Sequence, residues 1–306
     1  MADPGLFVWV DLEKPTPEEA HAVLENVFHF HPLSIEDCIS VSALPKVEEY
    51  NPEPTDTFPQ YLFLIVHAVD YNRQDGVFAT SDLDIFLGKK FLVTYHDAPL
   101  RTITGIKGRC VNGAKDIGRA PDRLAHAVLD ALVENYKPAL DELSQEISTL
   151  EQQVLQHPKP EALHKIIGVK KEVMRLRQII AAQCDVMAKV ASGQFKIIRP
   201  HLVPYYRDVY DGLFHISELA QTYTDSLTGI LQVYLNLSSN QTGEVVKLLT
   251  LITVITTPLM MIGTWYGMNF KDMPELGWRH GYVVAATVML LSTAVTYWYF
   301  RKKKWF

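Results

Sequence analysis

A chain of 306 residues with a net charge of −6 has room for a sizeable soluble domain, and its first 120 positions carry about eight more acidic than basic residues. That balance argues against nucleic acid as a partner and suits a metal cation. Three cysteines, Cys38, Cys110 and Cys184, are too few and too scattered for a zinc ribbon or a disulfide framework and read as ordinary thiols.

Residues 1–120 read as a mixed α/β domain. An apolar run from Leu6 to Val10 opens it, and Thr16 with Glu19 three residues later spells a capping box at the start of a helix. A second helix is expected around Ile35, Glu36 and Asp37. Strand-like runs follow at Tyr61 to Val69, Leu83 to Leu87 and Phe91 to Tyr95. The breaker-rich stretch from Asn51 to Pro59 reads as a loop on the edge of the sheet.

Two short signals in this region carry little chemistry. His29 and His31, separated by Phe30, read as a strand end or loop rather than a metal clasp. Gly108 to Lys115 nearly spells a phosphate loop, yet the lysine comes one residue late and no Ser or Thr follows it.

From Pro121 the pattern turns helical, and 121–203 reads as an antiparallel helical neck. Leu124, Val128, Leu132, Leu140, Leu143, Ile147, Leu150 and Val154 recur at helical spacing up to a break at His157 to Pro160. A second stretch from Glu161 to about Ala191 turns back before Gly193. Pro204 then opens the longest segment, 204–270, a stalk with no further proline until Pro258. Continuous to Tyr266, it would measure on the order of 95 Å at about 1.5 Å per residue.

Its last part, 248–266, is long and apolar enough to cross a bilayer, and 281–300 crosses back. Residues 271–280 form the loop between the two spans. No basic region followed by a short apolar run and a cleavage site opens the sequence, so Met1 to Lys247 is expected to stay on the side of synthesis. The basic tail 301–306, with Arg301 to Lys304, belongs on the same side by the positive-inside bias and is placed to touch anionic lipid. The expectation is a multi-pass protein of the cell (inner) membrane with both termini cytoplasmic and the 271–280 loop outside.

A lone hairpin cannot enclose a hydrated path, because its outer faces must meet lipid. Conduction therefore needs several identical chains. Steps of three and four along the first span give Thr250, Thr253, Thr257, Met260 and Thr264, with Gly243, Val246 and Leu249 below them as further pore-lining candidates. Leu251, Val254, Ile255, Leu259 and Ile262 make the opposite face apolar. The competing reading of the small hydroxylated residues is close helix packing.

What favours a pore is the end of that helix, where Tyr266, Gly267, Met268, Asn269 and Phe270 follow one another. A hydrated magnesium ion sheds water reluctantly and suits neutral oxygen partners around its shell. Asn269 offers a side-chain oxygen, and Gly267 leaves its carbonyl free to turn.

The Y-G-M-N-F signature, the Met273 to Leu276 turn with Glu275, the second span and the basic tail together resemble the CorA family of divalent-cation channels. Weaker matches lie at Pro45 to Glu48, Ile35 to Asp37 and Arg207 to Asp211. The resemblance implies a funnel-shaped membrane homopentamer with an α/β cytoplasmic head, a long helical stalk and two transmembrane helices. It implies that Tyr266, Gly267, Met268 and Asn269 form the selectivity mouth. It further implies that Mg2+ is both cargo and regulator, the latter bound by Asp208 and by Asp37 or Glu36 of a neighbouring subunit. Cobalt and nickel are possible further cargo, and neither an organic cofactor nor enzymatic activity is expected.

Three positions depart from that family. Gly243 stands where many relatives carry asparagine at the cytoplasmic entrance, although Asn240 is nearly one turn away. Met260 replaces a usual threonine, and Thr264 a usual glycine. Two alternatives remain open: a zinc transporter of the ZntB type, which usually replaces the methionine of the tripeptide, and a hairpin-anchored cytoplasmic enzyme or sensor.

Overall fold

A computed structural model describes residues 6–40, 44–69, 80–112, 117–268 and 273–303, without the side chains of Ile117, Glu275 and Leu276. The described residues divide into two compact units, and the division falls inside a helix, after Leu231.

The first unit is built on a five-stranded sheet in the order β1-β5-β4-β3-β2. Its strands are β1 (Val8–Glu13), β2 (Lys46–Tyr50), β3 (Tyr61–Val69), β4 (Thr80–Gly88) and β5 (Phe91–His96). β1 pairs parallel with β5 and the other pairs are antiparallel. All nine residues of β3 are buried, which explains their unbroken apolar run: a central strand covered on both faces has no solvent side to mark.

One face is covered by α1 (Pro17–His21), a π-helical turn (Ala22–Val27) and α2 (Pro32–Ile39). Thr16 and Glu19 cap α1 reciprocally, the Glu19 N–H donating to Thr16 Oγ1 at 3.3 Å and the Thr16 N–H to Glu19 Oε2 at 2.9 Å. Such a cap is worth about 1 kcal/mol. Between the turn and α2, Phe30 drops into an aromatic cluster, 4.3 Å from Phe86 and 4.7 Å from Tyr61 by ring centroid. His31 caps α2, its Nδ1 accepting from the Leu33 N–H. The His29–His31 segment is thus a loop with Phe30 as its anchor.

Facing the other side are α3 (Arg101–Val111), α4 (Pro121–Glu134) and α6 (Pro160–Ala191). α5 (Tyr136–Gln156) follows α4 after Asn135 alone and packs on α6, with Leu143, Ile147, Leu150 and Val154 among its buried residues. The first half of α7 (Val203–Tyr266) joins them along Tyr206, Val209, Leu213, Ile216, Ala220, Leu227 and Ile230, all buried and spaced mostly by three and four. Burying each large apolar side chain stabilises by about 1.5–3 kcal/mol. Asp122 pins the start of α7: Arg199 donates to both its carboxylate oxygens at 2.7 Å, and the Tyr206 hydroxyl to its carbonyl at 2.6 Å.

Three elements depart from the sequence reading. The first strand runs to Glu13 rather than ending at Val10, because Asp11 and Glu13 alternate with core-facing Val10 and Leu12. Helix begins before Pro121, since α3 is held by only three buried residues, Thr102, Ile103 and Ile106, too few to show as periodicity. β2 is a short edge strand whose Lys and Glu residues blur any alternation.

The second unit contains the end of α7 and α8 (Gly281–Lys302), with a 3-10 turn (Pro274–Gly277) before α8. Both helices are long and apolar enough to cross a membrane. α7 is unbroken over its 64 residues despite Pro258, a residue that membrane helices tolerate.

Candidate functional site

Within the second unit, α7 presents two different faces. Leu251, Val254, Ile255, Pro258, Leu259 and Ile262 are half-buried, and at the next residue, Gly263, a Cβ would stand 3.9 Å from the Met289 methyl of α8. The facing residues of α8 include small ones, Gly281, Ala285, Ser292 and Thr293, which let two helices approach. The other face of α7 is uncovered: Val246, Leu249 and Met260 are 56–69% exposed, and Gly243, Thr253, Thr257 and Thr264 are exposed with them. Thr250 is half-buried at the border. The half-buried face of α7 is thus apolar, and the threonine stripe lies exposed together with Leu248, Ile252 and Met261.

The hydroxyls on that face are oriented. Thr250 donates to the Val246 carbonyl at 2.8 Å, Thr253 to Leu249 at 2.9 Å, Thr257 to Thr253 at 2.6 Å, and Thr264 to Met260. Each proton is committed to the helix, so each oxygen offers lone pairs outward. Thr256, exposed as well, makes the same bond to Ile252, so the bond is a property of helical threonine and the stripe is set apart by its three-four spacing alone.

At its end, α7 tightens. The Gly267 N–H is shared between the Gly263 and Thr264 carbonyls at 3.1 Å each, and the Met268 N–H reaches Trp265 at 3.3 Å. A Cβ on Gly267 would stand 3.3 Å from the Gly263 oxygen, so glycine here answers a close approach and not a left-handed backbone. Asn269 lies outside the described residues, as does the Glu275 side chain. Tyr266, Gly267 and Met268 are exposed.

In the first unit the acids expected to regulate lie in separate places. Asp37 is ion-paired with Lys46, which also approaches Glu48 at 3.4 Å. Burial pulls the Lys46 pKa down, but the Asp37 hydrogen bond and the Glu48 charge outweigh it and the net shift is upward. Glu36 is exposed on a shallow groove with His21, Glu25, Ile35 and Ile39.

Asp208 belongs to a different surface, an open groove of about 360 Å³ between α4, α5 and α7. Asp130, Glu134, Asp141 and Asp211 line it beside Asp208, against Lys137 and His215. The sequence reading took only Asp208. The signal for the others was their spacing, Asp130 and Glu134 one turn apart on α4, and Asp208 and Asp211 one turn apart on α7. His126, flanked by Tyr205 and Tyr206, feels this groove: burial lowers its pKa while the Asp130 and Asp208 charges oppose the shift.

A family model described as CorA-like Mg2+ transporter protein matches residues 5–302. The chain is 33% identical over 304 residues to the cobalt/magnesium transport protein CorA of Thermotoga maritima, covering 99% of this chain and 84% of the relative. Its fold is similar to the complete structure of the CorA magnesium transporter from Methanocaldococcus jannaschii, with a TM-score of 0.85, 22% identity, and 98% and 92% of the two chains covered. The ZntB cytoplasmic domain from Vibrio parahaemolyticus is similar with a TM-score of 0.60 and 15% identity over 76% of this chain and 88% of that one.

Proposed function

Because this chain belongs to the family of CorA-like Mg2+ transporters, we propose that it carries hydrated Mg2+ into the cell through a pore lined by α7 of several identical subunits, five by family resemblance. The observation that supports this reading is the exposed run of Thr253, Thr257 and Thr264 at helical spacing, on the side of α7 away from its half-buried apolar face. Around a common axis such faces would present rings of acceptor oxygens to the water shell of an ion, which donates hydrogen bonds outward. The C-terminal end of α7 carries the negative pole of the helix dipole, which favours a cation at the Gly267-Met268-Asn269 mouth by about 0.3–1 kcal/mol per helix.

The membrane potential supplies the drive. A divalent cation gains roughly 4.6 kcal/mol on crossing 100 mV, at about 2.3 kcal/mol per charge, so no nucleotide hydrolysis is required. Cytoplasmic Mg2+ regulates opening through the Asp208 groove and an acid of the adjacent subunit, with Glu36 the freer of the two head candidates because Asp37 is already paired.

The test is flux into proteoliposomes under an inside-negative potential. Magnesium is expected to enter, with cobalt and nickel as weaker cargo, and zinc alone entering would move the protein to the ZntB-type alternative. No flux of any divalent ion would favour the anchored enzyme or sensor. Orientation is tested separately: single cysteines at Asp272 or Glu275 should react with an impermeant thiol reagent from outside, and cysteines at Asp225 or Lys303 should not. The reverse pattern would overturn the inferred topology.

A further inference from the structure

The odd residues of β1 point away from the aromatic core and build a polar seam that the transport reading does not use. In the parallel β1–β5 register Asp11 stands opposite Thr94 and Glu13 opposite His96, all on the side covered by α3. The hydrogen bonds run in one direction. Trp9 Nε1–H donates to Thr94 Oγ1 at 3.1 Å, and Thr94 donates onward to Asp11 Oδ1 at 2.5 Å. His96 Nδ1–H donates to the Ala98 carbonyl at 2.6 Å, an atom that can only accept.

This last bond fixes the imidazole. With Nδ1 committed as a donor, Nε2 faces Asp11 Oδ1 at 3.2 Å, and two lone pairs cannot face each other without a positive centre between them. Either a proton or a metal ion fills that position. A ring N–H given to a backbone carbonyl is also the usual way a metal-binding histidine is oriented.

The rest of a ligand set is at hand. Ligand atoms of Asp11, Glu13 and His96 all lie within 4.8 Å of one another. The Asp11 side chain is 95% buried, yet its Oδ2 accepts no hydrogen bond. Among the described residues it meets the Lys107 ammonium, an ion contact at 2.5 Å, and the lysine side chain is 45% exposed.

We propose that Asp11, Glu13 and His96 form a binding site for a borderline divalent metal ion, of the cobalt or zinc class, which enters by displacing Lys107 from Asp11. One imidazole nitrogen and two carboxylates suit such ions, whereas magnesium prefers oxygen alone and keeps its water. Thr94 and Ala98 hold the ligands in place from behind.

The experiment titrates the full-length protein in detergent with Co2+ in millimolar Mg2+, which fills oxygen-only sites, and reads bound cobalt per chain together with its visible absorption. The wild type should bind one more cobalt per chain than His96→Gln. Glu13→Gln, at an exposed position that does not threaten folding, should weaken this site at least tenfold, and Lys107→Met should tighten it by about tenfold. If Glu13→Gln leaves cobalt binding unchanged, or Lys107→Met fails to tighten it, the site is an ion-pair network and the proposal falls. The site should persist in Asn269→Ala, which separates its failure from any failure of the transport reading.

Discussion

Asn269→Ala should abolish potential-driven magnesium uptake while leaving the assembled protein intact. The substitution removes an amide oxygen from the mouth of the proposed pore, where each subunit would contribute one acceptor to the ion's water shell. A hydrogen bond to a charged species is worth about 1.5–3 kcal/mol, so losing even one slows passage about tenfold or more, and symmetry removes one from every subunit. Gly267→Val should be comparably damaging for a separate reason: its side chain would press on the Gly263 carbonyl that stands 3.3 Å from the Cβ position. Proteoliposome flux and size-exclusion elution read the two effects apart. Near-normal flux through correctly assembled Asn269→Ala would remove the mouth from the mechanism.

Elements whose stability rests on their own apolar pattern were legible in the chain. The β3 run, the capped start of α1, the helical spacing across Leu140 to Val154 and the long stretches from Glu161 and Pro204 all became the elements they predicted. Elements held by partners were not. α3 has Gly105 and Gly108 in its interior and three buried residues, so its helicity depends on packing that a one-dimensional pattern does not contain. α4 and α5 read as one periodic run because Asn135 interrupts the helices without shifting the apolar phase much.

The same division holds for the sites. The threonine stripe was readable because a helix displays its faces at fixed intervals, and its exposure follows from which face α8 occupies. The Asp11, Glu13 and His96 cluster joins residues more than eighty positions apart through a parallel strand pair, and no local spacing announces it. The acids around Asp208 needed α4 and α7 to be placed side by side before they became a groove.

That groove leads to the second large effect. Asp208→Lys should leave the soluble part compact without magnesium, whereas the native protein should need millimolar-scale magnesium to reach the same state. Asp130, Glu134, Asp141, Asp208 and Asp211 crowd one surface with Lys137 and His215 as the basic groups among its lining residues. Like charges at this density repel, and the repulsion grows wherever a neighbouring subunit brings a further carboxylate such as Glu36 close. A hydrated divalent ion bridging them would cancel the repulsion without requiring the carboxylates to approach tightly. A lysine at 208 changes the local charge by two units and would tether a cation at the position of the proposed bridge, so compactness should become independent of the metal. Asp208 is exposed on α7 and takes no part in the buried seam of Tyr206, Val209 and Leu213, so the exchange leaves the helical packing alone. Limited proteolysis across a magnesium titration provides the measurement: protection that rises with magnesium in the native protein and is already complete in the variant. If magnesium leaves the native cleavage pattern unchanged, Asp208 is a solvated residue on a helix and regulation must be sought elsewhere.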